Sequence, residues 1–447
     1  MKKHLLLLLV FSFSCTLWAY DIVKDNFSYK IDDITKTATV VDYDDSNLNI
    51  LGMVTIQREI YHDGEIYKIT SIGDNAFDFC HKIKDITIPR TVTKIGNAAF
   101  YACSNLEYIR HSCVLTSLGE GALDETLWLS NQPNGCVYFG NCLYKYKGEM
   151  PENTSVEVID GTLFVCDFAF ESCNNLVNIT FPNTLKYIGR YAFSGCKSLT
   201  SITIPNSVDS IAIMAFTGCQ SLVNVELSTS LNLLKSNIFS FCGSLTSIDL
   251  SHITNIEFGA LSYCSSLESV VFSDSLSIID KYAFLNCEKL DSLIFPASLD
   301  SIGESAFYGC SGIKYMEVQT ITPPRIHKNT FGSVSRDIEF IVPAEAYSAY
   351  ASHEYWKVFM GGEEITFDEH ITDKLNNIYY NSQGKILYFN VDSPRVVVVY
   401  DTMGRIIMKE VVDATTQQLF LDLNRGIYVI NITTTNQSTV QNKIIVK

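Results

Sequence analysis

The sequence is poor in the patterns that carry chemistry. It has no GxxxxGK(S/T) phosphate loop, no GxSxG nucleophile elbow, no HExxH pair and no CxxC. Phosphate-loop, serine-hydrolase, zinc-protease and dithiol chemistry therefore lack their usual carriers. Histidine is scarce as well. His4, His62, His81, His111, His252, His327, His353 and His370 include no pair at zinc-ligand spacing. Basic charge is short: 33 Lys and Arg stand against 49 Asp and Glu, a formal charge of −16. With no basic cluster to offset that balance, a nucleic-acid backbone would be repelled, and no nucleic acid is expected as a partner. Charged residues make up only 18% of the chain against 47% hydrophobic, which excludes a disordered chain. Beyond the amino terminus no apolar run reaches 18 residues, so the mature chain should contain no transmembrane segment.

What is present begins with a leader. Lys2, Lys3 and His4 precede an apolar run from Leu5 to about Trp18, and Ala19 offers a cleavage point, so residues 1–19 read as a signal peptide. A short membrane anchor is the competing reading. Lipidation at Cys15 is another, although Ser12-Phe13-Ser14 lacks the usual upstream aliphatic residue. The 447 residues leave room for two to four domains.

A repeat organises the rest. Cys80, Cys103, Cys173, Cys196, Cys219, Cys242, Cys264, Cys287 and Cys310 recur in one context, six of their eight intervals being 23 residues and one 22. The interval from Cys103 to Cys173 is 70, three periods plus one. One clean copy runs from Ile188 through Phe193, Cys196, Leu199, Ile202 and Ile204 to Pro205. Phe193, Cys196 and Leu199, three apart, share one face of a short helix or helical turn. Ile202 and Ile204 alternate as a half-buried strand does. Pro205 follows, where it has no ladder bond to lose, and Gly189 is expected to open the turn with its permissive backbone.

One such unit cannot bury its apolar face, but stacked units can. The prediction is an α/β solenoid of leucine-rich repeats, 23 residues each, with a parallel sheet on one face. Nine full copies and a degenerate one at Ser117 to Leu123 make about ten coils, roughly 50 Å at ~4.8 Å per coil. Residues 20–68 read as a β-rich amino-terminal cap and 69–320 as the solenoid. Within it, 127–158 is an insertion in which Gly140-Asn141 turns a hairpin hung from one loop. Residues 321–365 read as a carboxy-terminal cap with a helix from Ala344 to Phe359, and 366–447 as seven short strands forming a small β-sandwich.

The repeat, with Ala-Phe ahead of Cys and a later Ile-x-Ile-Pro, resembles the BspA-like leucine-rich repeat of bacterial surface antigens over about residues 21 to 360. Departures are Leu261 in place of Phe, and Leu227, Leu250 and Phe272 followed by Ser rather than Pro. In the tail, Val396 to Arg405 (VVVVYDTMGR), Leu423 to Ile430 (LNRGIYVI) and Lys443 to Lys447 (KIIVK) resemble the C-terminal sorting domain of the type IX secretion system. That resemblance implies contact with the secretion machinery, passage across the outer membrane, and removal of the tail with transfer to surface lipopolysaccharide.

Fourteen Cys in an exported chain would ordinarily point to disulfides. Nine in register at about 4.8 Å exceed the ~3.8 Å Cβ separation of a disulfide, so buried thiols are expected. No segment remains for a catalytic domain, and the paired carboxylates Asp44-Asp45 and Glu363-Glu364 fall in loops. No enzyme activity, cofactor or metal is expected. The expected function is adhesin-like binding of a host or microbial extracellular protein, with polysaccharide binding or a ligand-free spacer as alternatives. If Ile202 and Ile204 point in, Ser201 and Thr203 point out. The same register turns out Asp85 and Thr87, Tyr108 and Arg110, Asn178 and Thr180, Asn224 and Glu226, Ser247 and Asp249, and Tyr315 and Glu317. It also turns out Ser269 and Val271, and Ser292 and Ile294.

Overall fold

The coil around Phe193 shows why this sequence winds. Tyr187–Ile188 forms a two-residue strand that pairs in parallel with Ser210 and Ile211 one coil on. The chain then turns twice in steps of three: the Cys196 amide donates to the Phe193 carbonyl at 3.2 Å, and the Leu199 amide to the Cys196 carbonyl at 3.2 Å. The expected helical turn is thus a succession of single turns. Among the described residues α-helix is confined to Leu127–Ser130 and Tyr347–Ser352. Ser201–Thr203 follows as a strand and pairs in parallel with Asn224–Glu226. A 23-residue coil therefore carries two ladders, a short one through Ile188 and a long one through Ile202, where one parallel sheet was expected.

The computed structural model describes residues 21–46, 48 and 51–360, together with seven strands between 378 and 446. The leader expected at 1–19 lies outside the described residues. The coils form a β-solenoid of about 12 turns in all. They fall in two compact units, one of residues up to 149 with 161–169, the other of 150–160 with 170 onward.

Backbone groups in the turns are satisfied between coils, as buried amides require. In the second unit the Phe170 amide donates to the Ala192 carbonyl at 2.7 Å, Phe193 to Ala215 at 2.8 Å and Phe216 to Ile238 at 2.9 Å. This contact draws the phenyl rings into a column. Phe170 and Phe193 stack at 5.1 Å, Phe193 and Phe216 at 5.1 Å, and Phe216 and Phe239 at 5.4 Å. Leu261 interrupts the column, which resumes with Phe284, Phe307 and Phe331 at 4.9 and 5.3 Å.

Each cysteine beside the column does more than fill space. The Cys219 thiol donates to the Phe193 carbonyl at 3.2 Å, and that carbonyl already accepts the Cys196 amide. Both lone pairs of one oxygen are thereby used, one by its own coil and one by the next. The pattern repeats at Cys196, Cys242, Cys264, Cys287 and Cys310, and at Cys103 in the first unit. The described cysteines are free thiols, in keeping with their in-register spacing.

Two backbone positions per coil are left-handed. One precedes the cysteine, with Gly195 at φ 71 and Gly218 at φ 72, yet Phe241 and Tyr263 occupy it at φ 60. The other falls on Tyr191, φ 55, rather than on Gly189 as expected. The glycine of that turn serves close approach instead. At the equivalent Gly303 an added Cβ would sit 2.4 Å from the Lys281 backbone nitrogen.

The first unit opens with antiparallel strands Ile22–Lys24, Phe27–Asp32 and Thr37–Tyr43, the last pairing in parallel with Glu65–Ile72. Tyr43 starts a separate aromatic stack within this unit, against Phe77 at 5.3 Å and then Phe100 at 5.0 Å. Later in this unit Gly135–Phe139 and Cys142–Lys147 form the hairpin expected around Gly140-Asn141, closed by Phe139 opposite Cys142. Its second strand also pairs in parallel with Phe164–Val165, so it is tied into this unit's own parallel pairing rather than being a free appendage.

At the far end of the second unit, the helix expected from Ala344 to Phe359 is broken. It consists of a 3-10 turn Ala344–Ala346, an α-helix Tyr347–Ser352 and a 3-10 turn Trp356–Phe359. His353 is extended (φ −73, ψ 135), which lets Trp356 turn inward and donate to the Pro324 carbonyl at 2.8 Å. Beyond residue 377 seven strands form two antiparallel sheets, of three and four strands, with Arg395–Asp401 interior to the larger. That strand and Gly426–Thr434 carry much of the expected sorting motifs.

Candidate binding face

The long ladder presents one face to the core and the other outward, and the outward face was the expected site. In the first unit Met53, Asp85 and Tyr108 lie in one row, and Thr55, Thr87 and Arg110 in the next. The register turns Asp85 outward, but contrary to expectation it is only 9% exposed. The cause is Arg110, whose Nε and Nη2 grip both carboxylate oxygens at 2.7–3.0 Å. That fork raises the Arg110 pKa further and closes over the acid. Tyr108 stays 52% exposed. The strand ends at His111, opposite the buried Ile88, and its ring packs on Phe139 of the hairpin at 4.3 Å; burial lowers its pKa.

The second unit carries the longer face. Its first outward row holds Ser155 opposite Asn178, Ser201 opposite Asn224, Ser247 opposite Ser269, and Ser292 opposite Tyr315 and then Glu339. The second row holds Glu157 opposite Thr180, Thr203 opposite Glu226, Asp249 opposite Val271, and Ile294 opposite Glu317. All of these are exposed or half-exposed. Thr203 donates to Glu226 at 3.1 Å, and the Tyr315 hydroxyl to Glu317 at 2.8 Å. Burial and that carboxylate push Tyr315 up to about 12. Its hydroxyl is committed to the neighbour, so Tyr315 is less available than its residue type suggested.

Five carboxylates, Glu157, Glu226, Asp249, Glu317 and Glu339, point outward here with no Lys or Arg in either row. Among the described residues none of the five is in an ion pair. A cleft of about 190 Å³ opens beside two of them, lined by Val225, Leu227, His252 and Ile253 with Glu226 and Asp249. Sequence reasoning missed Met53, Thr55, Ser155, Glu157 and Glu339. The last two carried a usable signal, the alternation Val156-Glu157-Val158 and Phe340-Ile341-Val342-Pro343, whereas no repeat turn precedes Met53. A different surface, the turn ahead of the cysteines, presents Phe241 and Tyr263 stacked at 4.6 Å and both exposed. No group of three metal-binding side chains occurs among the described residues, and no helix there is long and apolar enough to cross a membrane.

Two family models match the chain. The BspA type leucine rich repeat region matches in six copies over residues 65–149, 148–267 and 254–385. The secretion system C-terminal sorting domain matches over 376–447. A leucine-rich repeat protein of Bacteroides ovatus is 27% identical, covering 74% of this chain and 80% of that one, with a TM-score of 0.33. A leucine-rich repeat protein of Eubacterium ventriosum is 21% identical over 69% and 98%, with a TM-score of 0.40. The pneumococcal vaccine antigen PcpA is 18% identical over 74% and 95%, with a TM-score of 0.33. No curated protein matches the chain. The sorting domain marks the chain for type IX export, to the cell surface or beyond it. With repeat models spanning residues 65 to 385, the chain belongs to the BspA-type leucine-rich-repeat family and carries a type IX sorting domain.

Proposed function

We propose that this exported protein is an adhesin-like binding module rather than an enzyme, and that the outward face of the long ladder holds a host or microbial extracellular protein. The carrying observation is the second unit's double row. Small hydroxyl and amide side chains (Ser201, Asn224, Ser247, Ser269, Ser292) run beside carboxylates that are in no ion pair among the described residues. Such a row offers hydrogen bonds to an extended partner at every rung. In the first unit Tyr108 and Arg110 supply the side-chain types that dominate interface energetics. The division expected from sequence, with repeats at 69–320, caps on either side and the sorting tail from 366, belongs to the same proposal.

A glycan-binding reading has its own observation, the exposed stacked pair Phe241 and Tyr263 held at left-handed φ where other coils place glycine. A screen of the mature protein against matrix proteins and polysaccharide arrays separates the two. With a protein ligand in hand, Tyr108→Ala with Arg110→Ala, or Asn224→Ala with Glu226→Ala, should weaken binding by more than about 1 kcal/mol. Phe241→Ser with Tyr263→Ser should leave it unchanged. The opposite pattern places the ligand on the turns and defeats the ladder-face reading.

A further inference from the structure

We infer that the ladder face of the second unit takes an extended polypeptide segment in which two basic residues, four positions apart, bracket an apolar one. The inference rests on the protein-binding reading above and names the chemistry of the partner.

One stretch of the second outward row has the matching chemistry. Asp249 stands opposite Val271, and Ile294 stands opposite Glu317. Val271 and Ile294 occupy consecutive rungs, since their neighbours Phe272 and Phe295 stack at 5.7 Å. The order along the stack is therefore carboxylate, apolar, apolar, carboxylate. Val271 is 56% and Ile294 51% exposed, in a row otherwise polar at its centre. Single exposed apolar residues need no explanation. Two on adjacent rungs between acids do, because they leave a dry step between two charged ones.

The carboxylates are oriented but not neutralised. Asp249 Oδ1 accepts the Ser251 amide at 2.8 Å, Glu317 Oε2 accepts the Tyr315 hydroxyl, and Glu317 Oε1 accepts the Gln319 side-chain amide at 3.0 Å. Each carboxylate has about four acceptor sites, so capacity remains at both. At the Asp249 end the preceding rung adds Glu226, and the cleft beside the two acids is lined by the apolar Val225, Leu227 and Ile253 together with the polar Ser228, Thr229 and His252. A cleft with hydrocarbon on part of its wall and carboxylates beside it fits a lysine or arginine, whose stem packs on the hydrocarbon while its head stays charged.

Spacing selects the segment. Asp249 and Glu317 are three rungs apart, about 14 Å. An extended chain laid along the stack advances ~3.3 Å per residue and turns every second side chain to the same side. Residues i and i+4 then fall over the two acids, and i+2 falls between Val271 and Ile294. Lys-x-Leu-x-Lys has this form.

Labelled peptides test the inference by fluorescence anisotropy with the mature protein. One carries two lysines four apart around a central leucine. Three controls keep the length and place the lysines three or five apart, or replace leucine by serine. The first should bind about tenfold tighter than any control and weaken as salt rises. Asp249→Asn and Glu317→Gln should each cost about threefold with unchanged thermal melts. Equal binding at all spacings, or binding indifferent to both substitutions, overturns the inference. If a natural protein ligand still maps to the ladder face in that case, the proposed function stands without it. If natural ligands map to the turns while the spacing preference holds, the proposed function falls and the peptide site stays.

Discussion

The inward and outward sides of the same coils obey different rules. Inside, one position reads Phe170, Phe193, Phe216, Phe239, Leu261, Phe284 and Phe307, all buried. Outside, one position reads Thr180, Thr203, Glu226, Asp249, Val271, Ile294 and Glu317. Both recur once per coil. The inner position varies little because each ring must stack on the rings before and after it. The outer position has no such neighbour and drifts from hydroxyl to acid to aliphatic. Repetition in this chain marks packing, and variety marks the positions that packing leaves free.

Alkali should break the inner side first and hardest. Burial pushes the Cys103 and Cys264 thiols up to about 12 from 9.0, and raises Cys80 and Cys196 further still. In the unfolded chain these thiols lose their protons near 9, while the folded chain holds them. Stability is therefore intact below that pH and is lost between about 9 and 12. A rise of that size corresponds to roughly 4 kcal/mol per thiol at the alkaline end. Melting temperatures measured across this range should be level to about pH 8.5 and then fall steeply. A level profile throughout would mean that the thiols are not sealed.

Phe216→Ala, which opens a cavity between Phe193 and Phe239, should cost about 3–5 kcal/mol in urea unfolding. Cys219→Ser should cost only about 1 kcal/mol, at the low end for a buried hydroxyl, because the Phe193 carbonyl stands ready to accept it. A loss above 3 kcal/mol would show that the hydroxyl does not reach. On the outer side Arg110→Ala is the costly exception, about 1 kcal/mol, since it strands the covered Asp85 carboxylate. Thr203→Ala should stay within about 0.5 kcal/mol. Should Thr203 and Phe216 prove equally costly, the contrast between the two sides would fail.

Much of this was readable from the chain. The 23-residue spacing of cysteine gave the coil, and the alternation at Ile202 and Ile204 gave the face. Features made between coils were not readable. The second ladder is two residues long at Tyr187–Ile188, too short to alternate visibly. Asp85 is covered by a residue 25 positions away, so no local pattern marks it as buried. The hydrogen bonds of the expected buried thiols left no mark in the sequence because their acceptors lie one coil back. In the capping segment, the run from Ala344 to Phe359 hid a break at His353 that only the inward turn of Trp356 explains.

The coil-to-coil bonding also has a mechanical meaning. Each rung in the second unit is held by parallel ladder bonds, a turn amide and a thiol, all reaching only the adjacent coil. Tension applied along the stack would load these bonds one coil at a time rather than all together. Each coil that peels away frees 23 residues, about 80 Å of extended chain. Pulled from its ends, such a stack would lengthen coil by coil. It would then yield gradually under load instead of failing in one event.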